Sequence, residues 1–390
     1  MRFFATCARG TEGALRRELA SLRLAGVRGD RGGVSFEGEL EAGMRACLHS
    51  RCAMRMLVEL ARFPAPDAEA LYQGARAVAW QDWLTTRTTL AVEATVSSSA
   101  LTHSGFVALK VKDAAVDALR AVLGARPDVD PKDPDVRIVL HLHRDQAALS
   151  LDLAGAPLHR RGYRAVTTEA PLKETLAAAI LALGGVDLAL PFVDPMAGSG
   201  TLAIEQALRA RRIAPGLGRA FGFQRWPAYR GGPQSQWDRM KAEARAAALP
   251  RAPALIVARD GHPRALEALR RNAGAAGVLE DLEISQADAR DLAPIAAEGT
   301  LVSNPPYGER LGPRGRGAEA RSGGEAVVAT RKLAGFYRGL AEMLARHRGW
   351  TVVLLSGNPL LERAIPLRPE VDHRLWNGSL ETHLLRYRIR

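Results

Sequence analysis

The sequence predicts an α/β protein in which an N-terminal α+β region precedes a domain built on a mostly parallel sheet. Short strand and helix patterns alternate irregularly at first, whereas apolar strands and amphipathic helices alternate regularly after about residue 171. Regular strand–helix alternation is typical of a parallel sheet covered by helices. A polar, basic, turn-rich stretch separates the two regions. We therefore expect four parts: 1–60 and 61–155 as two α+β subdomains, 156–170 as a linker, and 171–390 as the α/β domain.

The N-terminal region contains both strand and helix periodicities. Strands are predicted at "RFFATC", "GGVSFEG", "MRMLVEL" and "TLAVEATV", and helices near residues 11–23, 39–50, 67–79 and 105–123. The runs "VRIVLHLH" and "AALSLDLAG" alternate apolar and polar residues on either side of the turn "RDQ", which predicts a hairpin.

The C-terminal region alternates between helices and strands. Helices are predicted at "LKETLAAAILAL", from about Thr201, at "PRALEALRRNAGAAG" and near 332–346. Strands are predicted at "LALPFVD", "ALIVAR", "LEISQAD", "TLVSN" and "WTVVLLSG". The tail "LETHLLRYRIR" is predicted to be a closing antiparallel strand.

The composition restricts the class of partner and the compartment. Lysine and arginine exceed aspartate and glutamate by 54 − 42 = 12 residues, which favours a polyanionic partner such as nucleic acid. Few of the basic residues are lysines, however, and a bias towards arginine and alanine also arises from genome base composition, so charge alone leaves both explanations open. Cysteines without metal-ligand spacing predict reduced thiols and no metal site. With neither a signal peptide nor a membrane-length apolar run, a cytoplasmic protein without membrane contact is expected.

A strand, a sharp turn and a helix are predicted within "VDPMAGSGTLAIEQA". Its glycines, Gly198 and Gly200, remove the Cβ atoms that would block a ligand, and the helix N-terminus after them offers unpaired amide donors. Asp194, Asp260 and Asp288 each follow a predicted strand, so we expect them to line the crevice at the carboxyl edge of the sheet. The turn alone is also consistent with a purely structural role. Together with these acids, it fits a nucleoside without phosphates, such as S-adenosylmethionine, better than NAD or ATP, because no lysine follows the glycines and the next acidic strand end lies far beyond them.

A rigid corner is predicted at "SNPPYG". Proline fixes its own φ and holds the preceding residue in the extended region, so Asn304 Oδ1 and the Pro305 carbonyl would be two acceptors in nearly fixed geometry. Both could accept hydrogens from one exocyclic amine and orient its lone pair towards a methyl sulfonium. Tyr307 would then stack on the base that carries the amine. The alternative is a rigid surface turn.

The motifs "DPMAGSGT" and "SNPPYGERL", with the tail "GWTVVLLSGNPLLE" and "LWNGSLETHLL", resemble those of class I RNA methyltransferases that carry an N-terminal THUMP domain. "FFATCARGTEGALRREL" and "GGVSFEG" resemble the family's ferredoxin-like piece, "HRRGYR" and "APLKETLAAAIL" its linker and first catalytic-domain helix, and "FGFQRW" an insertion. The resemblance spans essentially the whole chain and is closest to bacterial large-subunit rRNA guanine-N2 methyltransferases in their single-methyltransferase form. A longer relative adds a second methyltransferase, which we expect these 390 residues not to contain.

The resemblance implies a ferredoxin-like subdomain, a THUMP RNA-binding domain and a Rossmann-like methyltransferase domain with a seven-stranded sheet closed by an antiparallel strand. It implies methyl transfer from S-adenosylmethionine to the N2 amine of a guanine in 23S rRNA. The motif match assigns cofactor binding to Asp194, Pro195, Ala197, Gly198, Ser199, Gly200, Thr201, Asp260, Asp288, Ala289 and Asn304. It assigns binding of the target amine to Asn304, Pro305, Pro306 and Tyr307. Family members usually have a second aspartate where this sequence has His262, so His262 is given no role.

Contacts to RNA phosphates are predicted for Lys110, Lys112, Arg160, Arg161, Arg164, Arg314 and Arg316, although each alone is also an ordinary surface charge. The loop 311–326 is either a lid over RNA or an unstructured insert. Two other functions stay open, a tRNA guanine-N2 methyltransferase of the same architecture and a non-catalytic RNA-binding protein. The Asn-Pro-Pro-Tyr motif also occurs in enzymes that methylate adenine in DNA or glutamine in proteins, but those lack the basic N-terminal module.

Overall fold

A computed structural model describes residues 1–166, 172–308 and 323–390, the side chains of 323–327 and 329 excepted. The described chain forms two compact units. The first comprises Met1–Cys7, Leu15–Arg160 and Ala214–Ala246, and the second comprises Ala8–Ala14, Arg161–Ile213 and Ala247–Arg390. Each unit is therefore assembled from segments that are separated in the sequence.

The described residues contain strands and helices throughout, connected by turns and short 3₁₀ segments. The strands are β1 Arg2–Thr6, β2 Ala25–Asp30, β3 Gly33–Glu37, β4 Arg55–Pro64, β5 Thr89–Ser97, β6 Asp128–Val129, β7 Val136–His143, β8 Gln146–Asp152, β9 Phe192–Asp194, β10 Ile256–Asp260, β11 Leu282–Gln286, β12 Thr300–Ser303, β13 Thr351–Ser356, β14 Val371–Asn377 and β15 Leu380–Arg388. The helices are α1 Glu12–Ser21, α2 Leu40–His49, α3 Ala68–Arg76, α4 Ser104–Leu123, α5 Glu174–Leu183, α6 Thr201–Ala210, α7 Gly232–Ala246, α8 Pro263–Ala275, α9 Gly323–Ala345 and α10 Pro359–Ala364.

The first unit is built on one sheet with the strand order β2-β3-β1-β4-β8-β7-β5-β6. β4 connects its two halves, because β4 pairs with β1 through Arg55–Glu59 and with β8 from Leu57 onward. Residue 60, the predicted subdomain boundary, thus lies inside a strand. The two N-terminal subdomains share a continuous sheet.

Local chemistry explains several elements of this unit. Asp67 accepts a hydrogen bond from the Ala70 amide at 2.8 Å and so caps α3. Gly124, at φ +72°, ends α4 in the left-handed conformation. Arg144 and Asp145 both have positive φ, at +50° and +55°, and join β7 to β8. This two-residue turn matches the twist of paired strands, and it forms the hairpin that the alternating pattern predicts.

The segment Ala214–Ala246, which interrupts the second unit's sequence, belongs to the first unit. It contains the "FGFQRW" motif and α7. The rings of Phe221 and Phe223 contact the ring of Trp237 edge-on at centroid distances of 5.3 and 5.0 Å, and Trp226 is fully buried. Aromatic packing therefore stabilises this insertion.

The second unit is built on a seven-stranded sheet with the order β11-β10-β9-β12-β13-β15-β14. The first five strands are parallel, and β15 runs antiparallel to both β13 and β14. This confirms the predicted Rossmann-like architecture and its antiparallel closing strand. Because the carboxyl ends of β9, β10, β11 and β12 lie at one edge, the motifs that follow these strands are brought to the same edge.

The elements of the second unit differ from prediction at four places. β14 and α10 were not predicted, since "VDHRLWN" mixes charged and apolar residues and α10 is short. β9 has only three residues, because Pro191 precedes it and has no amide to donate. α9 begins at Gly323, so the last residues of the predicted loop 311–326 are helical, and the rest of that loop lies outside the described residues.

Three further observations concern membrane-spanning helices, metal-ligand clusters and the cysteines. The helices that the structure describes include none that is both long enough and apolar enough to cross a membrane. Within the same ranges, no group of three or more histidine, cysteine, aspartate or glutamate side chains is arranged to hold a metal ion. Cys7, Cys47 and Cys52, which all lie in the described ranges, are buried and not disulfide-bonded.

Candidate active site

A glycine turn joins β9 to α6 at the centre of the sheet. Gly198 and Gly200 have φ values of +54° and +87°, a region that favours glycine. A Cβ on Gly200 would lie 2.7 Å from Leu269 Cγ, whereas a Cβ on Gly198 would meet no atom within 4 Å. Gly200 is therefore required for packing of the turn against α8, while Gly198 leaves open space above the N-terminus of α6. The predicted cofactor residues Pro195, Ala197, Ser199 and Thr201 lie within or directly after this turn.

Asp194 lies at the end of β9 and is buried. Its Oδ1 accepts hydrogen bonds from Ser303 Oγ at 3.0 Å and from the Met196 amide at 3.2 Å. The pKa of the Asp194 carboxyl is raised from 3.8 to about 7, chiefly by burial and with a smaller contribution from the charge of Asp260, against the lowering effect of the two hydrogen bonds. The bond from Ser303 also joins the end of β12 directly to the glycine turn.

Asp260 at the end of β10 supports the turn from the other side. Its Oδ2 accepts from the Gly198 amide at 2.8 Å, and its Oδ1 accepts from the His262 amide at 2.9 Å. The His262 side chain is exposed, so this residue contributes through its backbone. A carboxylate held beside an open glycine turn is a suitable acceptor for the hydroxyl groups of a ribose.

Asp288 follows β11 at the same edge of the sheet and is paired with Arg290. The Asp288 carboxylate accepts from the Arg290 amide and Nε, both at 2.9 Å, and from an Nη at 2.5 Å. These bonds lower the pKa of Asp288 to about 2. Sequence reasoning did not include Arg290. Any contact between Asp288 and an adenine amine must use a carboxylate that is already paired. Ala289, the remaining predicted cofactor residue after β11, is buried.

The corner from Asn304 to Gly308 follows β12 immediately. Asn304 is half-buried, Pro305 is buried and Pro306 is exposed. The Tyr307 hydroxyl donates to Asn304 Oδ1, and the Tyr307 ring is only 4% exposed. The predicted stacking of Tyr307 on a target base does not match this arrangement, because the ring packs inside the domain. Tyr307 instead orients the amide of Asn304.

Neighbouring elements hold the carbonyl groups that follow Pro305. The Tyr337 hydroxyl on α9 donates to the Pro306 carbonyl, and Asn358 Nδ2, just after β13, donates to the Tyr307 carbonyl at 2.9 Å. In the part of the chain that the structure describes, no donor occupies the Pro305 carbonyl. The corner is therefore fixed from both sides, and Pro305 and the second lone pair of Asn304 Oδ1 are left to accept hydrogens.

The end of the linker is bonded to the glycine turn. Arg164 donates to Ser199 Oγ at 3.3 Å and to Thr201 Oγ1 at 3.1 Å, and it forms an ion pair with Glu174 at 2.8 Å. Asn272 of α8 donates to the Ser199 carbonyl at 3.1 Å. Its Oδ1 also accepts from the linker amides of residues 165 and 166. The linker and α8 thus fix the position of Ser199.

Comparisons with known proteins identify domains consistent with this architecture. Family models match the chain as an RlmL ferredoxin-like domain over residues 2–57, a THUMP domain over 65–152 and an RMKL-like methyltransferase domain over 161–320. The structure of SMU.472, described as a candidate methyltransferase complexed with SAH, is 30% identical, with a TM-score of 0.88 over 100% of this chain and 98% of that one. The chain belongs to the THUMP-domain methyltransferases.

Two other proteins are also similar to the chain. Ribosomal RNA large subunit methyltransferase K/L of Syntrophotalea carbinolica is 43% identical over 100% of this chain. That alignment covers 54% of the relative, so the chain spans about half the length of the curated protein it matches. The structure of TrmN from Thermus thermophilus is 22% identical, with a TM-score of 0.71 over 100% of this chain and 99% of that one, and this likeness supports the fold alone.

The structure corrects two predicted RNA contacts in this family member. Arg161 is buried, and its Nε lies 3.5 Å from Glu205 Oε1, which also accepts from the Tyr163 hydroxyl at 3.1 Å. Arg164 is bonded to Glu174 and the glycine turn, as described above. Both guanidinium groups are used inside the methyltransferase domain, because a buried carboxylate needs a buried partner. Neither presents an open charge to RNA.

The other predicted phosphate contacts have different surroundings. Arg160 is exposed, while Lys110 and Lys112 on α4 are half-buried, and Lys112 Nζ lies 2.7 Å from Asp113 Oδ1. The two lysines line a groove of about 560 Å³ together with both acidic and basic side chains. Arg314 and Arg316 lie outside the described residues. Arg160, Lys110 and Lys112 therefore stay predictions.

We expect Gly357→Ala to reduce turnover because it displaces the corner that contains Asn304 and Pro305. A Cβ on Gly357 would lie 2.7 Å from the ring of Tyr307, which cannot move away because it is buried and bonded to Asn304. A shift of the corner by a fraction of an ångström should lower kcat roughly tenfold to a hundredfold. Calorimetric affinity for S-adenosylmethionine should change less than about twofold, because the glycine turn is untouched.

The matched control for this variant is Gly274→Ala on α8. A Cβ there would meet no atom within 4 Å. Its kcat should equal that of the wild type. Equal kcat values for the two variants would show that packing of Gly357 against Tyr307 does not position the corner.

Proposed function

We propose that the protein transfers a methyl group from S-adenosylmethionine to the exocyclic N2 amine of a guanine in 23S rRNA, producing N2-methylguanosine. The observation that carries this proposal is the fixed corner beside the glycine turn, in which Asn304 and Pro305 keep acceptor positions while Tyr337 and Asn358 bind the next two carbonyls. The K/L relative named above supports large-subunit ribosomal RNA as the substrate.

The cofactor site is tested first by its shape and donor set. The open space above Gly198 accommodates a ligand, the N-terminus of α6 offers amide donors, and Asp260 offers carboxylate oxygens. Asp194 and Asp288 extend the acidic edge. These residues fit S-adenosylmethionine, and SMU.472, which shares this fold, is complexed with SAH. When bound, S-adenosylmethionine supplies an electrophilic methyl group on a cationic sulfur.

The chain's own residues orient the nucleophile. Asn304 Oδ1 and the Pro305 carbonyl accept the two hydrogens of the guanine amine, which turns its lone pair towards the glycine turn. The Tyr307 hydroxyl holds the Asn304 amide in the required rotamer. No strong base has to act before the attack, because the proton leaves afterwards from a cationic amine. Preorganised dipoles of this kind contribute about a hundredfold to a thousandfold each.

The N-terminal unit supplies the RNA-binding part of the proposal. The family match to a THUMP domain over residues 65–152 favours RNA as the partner of this unit. The excess of twelve basic residues, which is a property of the whole sequence, favours the same class of partner. With an rRNA substrate, we propose that the protein acts in the cytoplasm. No metal has a role in this mechanism.

The decisive experiment supplies labelled S-adenosylmethionine with protein-free 23S rRNA and with tRNA in parallel, followed by nuclease digestion and identification of the labelled nucleoside. We expect N2-methylguanosine in 23S rRNA and no label in tRNA. Label confined to tRNA would favour the alternative, a tRNA guanine-N2 methyltransferase of the same architecture. Label in neither RNA, with RNA binding retained, would favour a non-catalytic RNA-binding protein.

A further inference from the structure

A hairpin protrudes from the sheet at the edge that carries the active site. β13 ends with Ser356 opposite His383 of β15, whereas β15 extends back to Leu380, which pairs with Asn377 of β14. The residues from 380 to 382 therefore pair with β14 alone and lie beyond the end of β13. Since β13 is the parallel neighbour of β12, the hairpin protrudes on the same side as Asn304. At a strand spacing of about 4.8 Å, β14 lies roughly 14 Å from β12.

This hairpin has an arginine stacked on an indole ring. The Arg9 guanidinium carbon lies 3.7 Å from the centre of the Trp376 ring, and that of Arg374 lies 5.5 Å from it. Arg9 is exposed, and Trp376 is half-buried. The Arg9 guanidinium group is therefore held over an aromatic ring while the residue remains exposed to solvent.

The backbone of the segment Ala8–Ala14 is fixed along β14 independently of that stack. The Trp376 amide donates to the Arg9 carbonyl at 3.1 Å, and His373 Nε2 bonds the Gly10 carbonyl at 2.5 Å. Gly10 has φ +87°, and a Cβ there would lie 2.4 Å from the Arg374 carbonyl. Attachment of this segment therefore does not need a charged side chain at position 9.

The charge of Arg9 is also uncompensated. Three basic side chains of the hairpin have acidic partners: Arg374 lies 3.4 Å from Glu381, His383 lies 2.6 Å from Asp372, and Arg386 lies 3.7 Å from Glu370. Across residues 1–166, 172–308 and 323–390, no carboxylate pairs with Arg9. A fixed, unpaired guanidinium over an aromatic ring has the chemistry that binds single-stranded RNA, because its plane stacks on a base and its N–H groups bind phosphate.

We propose that the Arg9–Trp376 stack binds a nucleotide of the substrate RNA next to the target guanine, with Arg9 contacting its phosphate and base. This inference rests on the proposed RNA methyltransferase function and adds a recognition element to it. The hairpin stands beside the catalytic corner, at a distance that a few nucleotides of single-stranded RNA span. It would hold the strand while Asn304 and Pro305 hold the amine.

The test compares Arg9→Gln, Arg9→Lys and Trp376→Leu in the full chain. Arg9→Gln should raise the KM for protein-free 23S rRNA about tenfold, with kcat and affinity for S-adenosylmethionine unchanged. It should also lower the slope of log binding constant against log salt by about 0.7 to 1, since one phosphate contact is lost. Arg9→Lys should keep the salt slope and lose part of the affinity, because lysine keeps the charge without the plane. Trp376→Leu should weaken binding with the salt slope kept.

Arg388→Gln is the matched control. Arg388 is an exposed arginine at the opposite end of the same hairpin, where it donates to Thr351 Oγ1 at 3.1 Å. Its KM should equal that of the wild type. If Arg9→Gln behaves like Arg388→Gln while the wild type methylates rRNA, the inference is wrong and the proposed function stands. If the wild type neither binds nor methylates RNA, both are wrong.

Discussion

Asn304→Ala should lose nearly all methyl transfer while it retains RNA and S-adenosylmethionine. The variant removes one of the two acceptors for the target amine and the acceptor of the Tyr307 hydroxyl, but it leaves the glycine turn and Asp260 intact. Loss of a preorganised group that acts in the transition state costs about a hundredfold to a thousandfold. Because Asn304 also aligns the amine, we expect a fall of about a thousandfold in the single-turnover rate, measured with labelled cofactor at saturating RNA.

Pro306→Ala is a suitable control for this variant. Pro306 is exposed, and its carbonyl, which accepts from Tyr337, is still present in alanine. A rate within about tenfold of the wild type is expected, since only local rigidity changes. The mechanism would be refuted by an Asn304→Ala variant that keeps more than a tenth of the wild-type rate, because the corner would then not be the amine-binding element.

The parts of the site that follow directly from strand ends were predictable. Asp194, Asp260, Asp288 and Asn304 each come at or just after a strand with a clear apolar pattern. In a parallel sheet, strand ends meet at one edge whatever the details of packing. Secondary structure therefore determined the neighbourhood of these residues. The antiparallel closing strand was also predictable, because "LETHLLRYRIR" alternates apolar and polar residues strongly enough to be identified as a strand from the sequence alone.

The parts that depend on distant partners were not predictable. Arg161 and Arg164 look like solvated charges in "HRRGYR", yet they form ion pairs with Glu205 and Glu174 inside the domain. Nothing in the local sequence distinguishes a solvated arginine from a paired, buried one. Asn272 on α8 is seventy-three positions from the serine whose carbonyl it binds. The sequence suggested that Tyr307 stacks on a base, but its ring packs against Gly357 and its hydroxyl bonds Asn304. Such assignments require the tertiary fold, because a polar side chain's role is set by what surrounds it.

Asp194→Asn should stabilise the protein at pH 8 and leave its stability unchanged at pH 4. Burial raises the pKa of this carboxyl from 3.8 to about 7, so the folded state prefers the neutral form. The favourable contribution of that neutral form is complete below the unfolded pKa and is lost as the pH rises through about 7. Above about pH 7, the ionised Asp194 carboxylate lowers the free energy of unfolding by up to about 4 kcal/mol. Asparagine removes the charge and keeps an oxygen for Ser303 and the Met196 amide.

The unfolding midpoint of the full chain, measured by calorimetry at several pH values, tests this expectation. The midpoint of the methyltransferase unit should rise by roughly 5 °C or more at pH 8 in Asp194→Asn and converge with the wild type near pH 4. Asp288→Asn provides a control of opposite sign, because its pairing with Arg290 lowers the pKa to about 2, and its stabilising charge is lost only as the pH falls towards that value. Asp288→Asn should therefore be less stable than the wild type at pH 7, by a smaller amount, since solvent screens this pair. Equal unfolding midpoints for Asp194→Asn and the wild type at pH 8 would show that an ionised Asp194 carboxylate beside Asp260 does not destabilise the fold.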